Sequence, residues 1–376
     1  MRLRKYSAFD IGRSGDYFDD KKNSFYLDRV SRKCYLPTNR KILELIRKTE
    51  GRFRVSFSIT GILLEGFEKS FPGVLDSFRK LVDTGSVELF NETYYHSLAY
   101  LVSERDFMEQ VKLHRQKVWD LFGVRPKVFR NTEAMYSNDV ARLARKMGFR
   151  GIVAEGISNI LDWRSPNYLY RPPESDMAIF LRNFKLSDDI GFRFSCRDWP
   201  EWPLTADKYA SWLGRADGDI ANVFMDYETF GEHQWQETGI FEFLEHLPGE
   251  SMKQGIDFVT PSEFLKKASP VGVYDVPNLT SWADVHRDLS AWLENPMQQQ
   301  AFNEMKSLEK GARKNRNLLD VWRKLQTSDH FYYMCTKWFA DGDVHKYFNC
   351  YSTPYDAFLN YMNVLVDLRS RLQKKE

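Results

Sequence analysis

Short runs rich in β-branched and aromatic residues alternate with stretches of helical periodicity from about residue 38 to residue 260, and this limits the fold more than any other feature. Residues 39–49 carry Ile42, Leu43, Leu45 and Ile46 on one helical face, and residues 55–61 then read as a strand ending at a glycine. A helix opens at Pro72 and stops at Gly85; residues 87–90 form a second strand and 104–122 a long amphipathic helix. Residues 128–132 form a third strand, and Ser137 caps a helix over 138–147 that closes at Gly148. Residues 151–154, 178–181 and 221–225 are the fourth to sixth strands, with 258–260 one more candidate. Strands separated by helices at this spacing require a parallel sheet with right-handed crossovers. The number of units predicts an α/β fold of the (β/α) barrel kind, not a three-layer sandwich. Past about residue 275 the texture is helical alone, over 284–293, 297–325, 330–339 and 355–372. The expectation is a barrel over residues 1–275 and an α-helical domain over 276–376.

At 376 residues the chain is long enough for one large domain and an appendage, and 43% apolar residues suit a globular core. Lys and Arg number 54 against 52 Asp and Glu, so the net charge of +2 gives no electrostatic case for nucleic acid or a membrane surface. No window approaches the roughly 18 apolar residues of a membrane span, and the start MRLRKYSAFDIG lacks a signal peptide's apolar stretch. Cys34, Cys196, Cys335 and Cys350 are scattered, which reads as reduced thiols in the cytoplasm. Aromatic residues reach 15%, which serves a large core first and sugar rings second. The oligomeric state leaves no mark on the sequence.

In a parallel barrel the strands deliver chemistry at their C-terminal ends. The second strand contains Glu88 and runs into Asn91-Glu-Thr-Tyr-Tyr-His96; the third ends in Asn131-Thr-Glu133, with Tyr136 after it. The sixth ends in Asp226-Tyr-Glu228-Thr-Phe-Gly-Glu232-His233. Two carboxylates from separate strands are the minimal equipment of a glycosidase, provided that their pKa values differ. Asp226 and Glu228, two apart on an extended strand, would point the same way and repel. Any one acidic residue at a strand end is more simply a helix cap or an Arg partner; the convergence of three ends favours a site. Asp226, Glu228, Glu232, His233 and His96 also offer oxygen and nitrogen ligands, but the histidines lack the H-x-H or H-x₃-H spacing of a metal site, and no metal is expected. Asp341-Gly-Asp343-Val-His345 reads as a turn, because it lacks the further carboxylates of a calcium loop. No nucleotide-cofactor motif and no G-x-S-x-G elbow occurs, so no cofactor is expected.

Phe129-Arg-Asn-Thr-Glu-Ala-Met-Tyr136 and Met225-Asp-Tyr-Glu-Thr-Phe-Gly231 resemble two motifs of glycoside hydrolase family 57. Gly85-Ser-Val-Glu-Leu89 resembles that family's second region and Gln326-Thr-Ser-Asp-His330 its last, where His330 stands in place of a frequent Trp. Cys34-Tyr-Leu-Pro37, Ser56–Gly61 and Trp163-Arg-Ser-Pro-Asn167 are similar to its archaeal-type α-amylase branch, and the likeness runs from about residue 4 to 365. The resemblance implies an incomplete (β/α)7 TIM-like barrel with a C-terminal helical bundle, and retaining cleavage or transfer at α-1,4-glucosidic bonds without a metal. It implies Glu133 as nucleophile and Asp226 as general acid/base. Glu88, His96, Tyr136, Glu228, His233, Asp329 and His330 are then the residues expected to hold an α-glucan or maltooligosaccharide. Family members begin with a strand ending in His-Gln-Pro, ahead of a segment like Arg2-Leu-Arg-Lys-Tyr6. Here Met1 stands at that segment and no His precedes His96, so the first barrel strand and a sugar-contacting His are expected to be missing. The alternatives are a 4-α-glucanotransferase or branching enzyme, and a catalytically impaired glucan-binding protein.

Overall fold

The computed structural model describes residues 1–337 and 349–373. The Asp341–His345 turn and the last two residues of the helix expected over 330–339 fall outside the described residues; among the described ones that helix is only Ser328–Tyr332, and 333–337 continue as turn and coil. β1 (Val55–Phe57) and β2 (Val87–Leu89) pair in parallel, with Ser56 opposite Glu88. A single bridge between Asn91 and Phe129 passes the pairing on to β3 (Val128–Arg130). β4 (Gly151–Glu155) and β6 (Ala178–Arg182) continue it in parallel. β5 (Leu169–Arg171), which the sequence patterning did not single out, returns antiparallel to β6 and pairs with the two-residue β7 (Gly272–Val273). The α/β class therefore holds, with two sheets of two and five strands rather than one continuous ladder.

The crossover helices follow their local signals. Ser103 accepts a hydrogen bond from the Asp106 N–H and opens the helix Glu104–Phe122, which ends at Gly123 in the left-handed conformation. Its apolar face of Phe107, Val111, Val118 and Leu121 is buried. Pro72 starts Pro72–Val82 and Ser137 caps Asn138–Lys146, as the sequence indicates.

Two expected strands do not form. In residues 221–225 the backbone groups bond side chains instead of a ladder: the Phe224 N–H donates to Ser187 Oγ (3.1 Å), and the Phe224 carbonyl accepts from Arg182 Nε (2.6 Å). One bridge, Arg182 to Asn222, is all the pairing there. At 258–260 the Thr260 N–H donates to the Glu263 carboxylate (3.0 Å), a capping box that opens the short helix Pro261–Phe264. The long helix expected over 297–325 is broken into Pro296–Ser307, Glu309–Ala312 and Arg316–Lys324. Asn315 makes the second break: its backbone is extended and its side chain accepts from the N–H groups of Asn317 and Leu318.

The N-terminal segment packs against the other end of the chain. Leu3, Tyr6 and Tyr17 are buried in one cluster with Met305, Trp322, Phe331 and Tyr361 of the helical region. Asp367, on the helix Pro354–Gln373, accepts from the Gly12 N–H (2.5 Å) and the Tyr17 hydroxyl (2.6 Å) and pairs with Arg371. A boundary drawn at residue 275 alone thus leaves out this N-terminal share of the helical core. No helix among the described residues is long and apolar enough to cross a membrane. Cys34 and Cys335 are buried free thiols, and Cys196 and Cys350 are exposed ones.

A buried ion network ties the α/β part to the helical part. Asp106, fully buried, accepts from Arg323 Nε (2.9 Å), Arg313 Nη2 (3.1 Å), Gln110 Nε2 (2.8 Å) and Gln326 Nε2 (3.1 Å). Replacing Asp106 by Ala leaves Arg313 and Arg323 only Glu109 and Glu309 as carboxylate partners and takes the acceptor from the Gln326 side-chain amide, so chemical denaturation should show a loss of about 1–3 kcal/mol; a change within experimental error would remove this network as the clamp.

Candidate active site

Beyond β3 the chain makes a tight turn in which Asn131 fixes the backbone from both sides. Its side chain accepts from the Thr132 N–H (2.9 Å) and donates to the Met135 carbonyl (3.1 Å). Glu133 (φ 55°) and Ala134 (φ 50°) are held there in the left-handed region, which a non-glycine residue adopts at a cost of about 1–3 kcal/mol. The strain presents the Glu133 carboxylate to three side-chain donors. His96 Nε2 lies 3.1 Å and Ser328 Oγ 2.8 Å from Oε1, while Trp282 Nε1 donates to Oε2 at 3.0 Å. The Trp282 backbone N–H donates to the Glu133 carbonyl (3.2 Å).

His96, also at positive φ (48°), sits in a loop sewn to residues 326–328. The Leu98 N–H donates to the Gln326 carbonyl, the Ser328 N–H to the His96 carbonyl (both 3.0 Å), and Thr327 Oγ1 to the Tyr95 carbonyl (3.0 Å). His96 Nδ1 lies 3.3 Å from the carboxylate of Glu92, which is buried. Burial alone would push the His96 pKa down, but hydrogen bonds to Glu133 and Glu92 outweigh it and raise the pKa to about 10. Burial would likewise raise the pKa of Glu133; the His96 hydrogen bond and charge, then Arg130 and Trp282, bring it to about 2. The ordinary values are 6.5 and 4.5, so the pair contributes its full stability between about pH 4.5 and 6.5. That contribution is lost on the acid side as pH falls through about 2 and on the alkaline side as pH rises through about 10. Arg130, on β3, lies under the Trp282 ring (4.9 Å to the centroid) and the Phe224 ring (5.5 Å), its buried Nε without a hydrogen-bond partner among the described residues.

The opposite wall starts from a proline. Pro37 has no N–H to give the Lys33 carbonyl, and the helix Asp20–Val30 reaches Leu36–Lys48 through a π-turn at Ser31–Tyr35. The turn directs the buried Tyr35 hydroxyl to the Glu228 carboxylate, while Cys34 Sγ donates to the Tyr227 carbonyl (3.2 Å). Asp226 is exposed, just before the 3₁₀ turn Tyr227–Thr229. Asp226 and Glu228 therefore do not share an extended strand, yet the expected repulsion is present. Burial first, and the Asp226 charge second, raise the pKa of Glu228. The loop closes at Gly231 (φ 109°), where an added Cβ would stand 2.0 Å from the Lys33 carbonyl oxygen.

Glu133, Asp226, His96, Glu228, His233 and Asp329 all line one cavity of about 1980 Å³. Three other candidates do not. Glu88 points away and accepts from the N–H (2.9 Å) and hydroxyl of Ser262, anchoring the start of the Pro261–Phe264 helix. Tyr136 is a core residue packed against Tyr274. His330 is buried against Tyr361, with its pKa lowered to about 3, primarily by burial. In the Gln326–His330 string it is Ser328 that reaches Glu133. Tyr35 and Ser328 lie within the Cys34–Pro37 and Gln326–His330 strings, whereas Trp282 carries no local signal. Among the described residues no group of three His, Cys, Asp or Glu is arranged to hold a metal ion.

The sequence profile of glycosyl hydrolase family 57 matches residues 8–277. The chain belongs to that family. It is 48% identical over 365 residues to a Methanocaldococcus jannaschii protein provisionally designated an alpha-amylase, covering 93% of this chain and 78% of that one. It is 23% identical to an alpha-amylase of Pyrococcus abyssi, over 66% of this chain and 38% of the relative's length. Among solved structures, a 4-alpha-glucanotransferase of Thermococcus litoralis superposes with a TM-score of 0.67 at 20% identity, covering 82% of this chain and 53% of that one. A GH57 branching enzyme of Thermococcus kodakaraensis gives 0.66 at 15% identity, over 93% and 86% of the two chains.

Two outcomes test this geometry. Glu133→Gln removes one of the two anions on His96, so imidazole NMR titration should find the His96 pKa well below about 10; an unmoved value would contradict the pairing. Gly231→Ala should drive the Asp226 loop off Lys33 and lower kcat/KM for an α-glucan by about a hundred-fold, while circular dichroism shows an intact fold. Wild-type kinetics in that variant would mean that the loop position is not set there.

Proposed function

We propose that this family 57 protein is a retaining hydrolase of α-1,4-glucans, α-amylase-like, with Glu133 as nucleophile and Asp226 as general acid/base. The observation that carries the reading is the Glu133 carboxylate: strained, held ionised by His96, and set in the same cavity as the exposed Asp226. In the first step a Glu133 oxygen attacks the anomeric carbon; the glycosidic C–O bond breaks and its electron pair leaves with the oxygen, which takes the Asp226 proton. In the second step water attacks the same carbon and gives its proton to Asp226, and the ester bond breaks back to the Glu133 carboxylate. His96, Glu228, His233 and Asp329 hold the sugar in this reading, and Trp282 and Ser328 hold the nucleophile.

The parallel strands β1, β2, β3, β4 and β6, with the irregular segment 221–225, form the wall of an incomplete (β/α)7 barrel in this proposal. The helical domain, built from residues after 275 and the N-terminal segment, leans over its mouth. The free thiols are consistent with work in the reducing cytoplasm. The cavity exceeds the roughly 300–1,000 Å³ of an ordinary small-molecule pocket, which leaves room for a sugar acceptor beside the donor and supports transfer as the second reading.

Glu133→Gln should lower kcat on maltooligosaccharides by at least about a thousand-fold while glucan binding by calorimetry persists; retained turnover would end the nucleophile assignment. Product analysis with the intact chain decides the second point. Only shorter sugars are expected from hydrolysis, and longer or branched products would establish transfer.

A further inference from the structure

We infer that Glu92 is a positioning residue that keeps both ring nitrogens of His96 protonated throughout the cycle and thereby sets the rate of the second, deglycosylating step. The inference rests on Glu133 as the nucleophile. Its basis is the arrangement around one imidazole. His96 lies between two carboxylates, with Glu133 Oε1 3.1 Å from Nε2 and Glu92 Oε2 3.3 Å from Nδ1. An ionised carboxylate only accepts, so both ring nitrogens must donate, and the ring between them is an imidazolium.

Glu92 is built for this task. It is 1% exposed, and its other oxygen accepts from Ser58 Oγ at 2.7 Å. Burial would raise its pKa, but the His96 hydrogen bond and charge, followed by the Arg130 charge, bring it below the ordinary value. The second histidine beside it has the opposite state. His114 donates from Nε2 to the Ile59 carbonyl (2.7 Å) and accepts the Glu92 N–H at Nδ1 (3.4 Å), the pattern of a neutral ring, and burial lowers its pKa. Arg130 from β3 and His114 from the helix Glu104–Phe122 are thus the cationic and neutral groups facing Glu92. Asp226, Glu228 and Asp329 border the same cavity from the other elements.

The two carboxylates do not act on His96 equally through the reaction. When the Glu133–sugar ester forms, Glu133 loses its negative charge, and Glu92 is the one anion still bonded to the ring. In the second step the ester C–O bond breaks and its electron pair returns to Glu133. An N–H of the His96 imidazolium stabilises the charge that develops there. If Glu92 were neutral, His96 would release a proton in the ester state, and the departing carboxylate would meet a neutral ring, a weaker donor that lacks the imidazolium's charge. The first step would be nearly spared, because in the free enzyme Glu133 itself still holds the imidazolium.

The test is Glu92→Gln in the full chain, assayed on maltoheptaose. A fall in kcat of about ten-fold or more, a parallel fall in KM and a nearly unchanged kcat/KM are expected. Acid-quenched steady-state samples should then contain a glycosylated Glu133 peptide by mass spectrometry, and Glu92→Asp should recover most of the rate. Equal losses of kcat and kcat/KM with no accumulated ester would overturn the inference and leave Glu92 a structural role. Should Glu92→Gln fail to fold, the wild-type chain stalled with a fluorinated maltosyl donor gives the answer by imidazole NMR. A doubly protonated His96 at neutral pH supports the inference, and a neutral ring refutes it. An adduct on Glu133 combined with normal Glu92→Gln kinetics would sink this inference alone, whereas no adduct on Glu133 would overturn the nucleophile assignment as well.

Discussion

The backbone stitch between residues 95–98 and 326–328 is the interaction on which the rest of the site depends. Three hydrogen bonds from Leu98, Ser328 and Thr327 fix the His96 loop to a segment more than two hundred residues later. The buried Asp106 anchors that segment from below through Gln326 and Arg323. Without this seam Ser328 would not reach Glu133, and His96 would have no reason to hold its positive φ. The Glu133 carboxylate that lines the cavity is therefore shared property. β3 supplies it, the loop after β2 charges it through His96, and Trp282 and Ser328 bind it from the chain beyond residue 275.

Much of the frame was readable because its signals are local. The helix Glu104–Phe122 has a serine cap, a glycine stop and a regular apolar face, all visible without any tertiary information. β3 and β4 are short apolar runs buried on both faces, the pattern that a parallel sheet imposes. Residues 221–225 have the same composition but no ladder, because Ser187 and Arg182 from distant positions take up the backbone of Phe224. A long helical period over 297–325 likewise hid the break that one asparagine cap makes at Asn315.

The site divides along the same line. Glu133 and His96 come after strands and Asp226 after the irregular segment 221–225, and the three line one cavity. Glu88 lies on a strand too, but inside it rather than beyond its end, so its carboxylate serves Ser262. His330 and Ser328 stand two apart on one turn of helix, and the turn sends one into the core and the other to Glu133. A motif string marks a neighbourhood; only the backbone decides which member faces the chemistry. Trp282 could not be found at all from its surroundings, since what matters about it is a partner 149 positions away.

Pro37 and Gly231 are joined by a feature that neither shows alone. The proline opens the π-turn, and the Lys33 carbonyl beside that turn occupies the space where a side chain on residue 231 would go. The shape of the wall behind Asp226 is therefore recorded at two places almost two hundred residues apart. Among descendants of this chain the two positions should be inherited as a unit: a lineage that regains a regular helix at 37 is freed to replace the glycine, and one that keeps the proline is not.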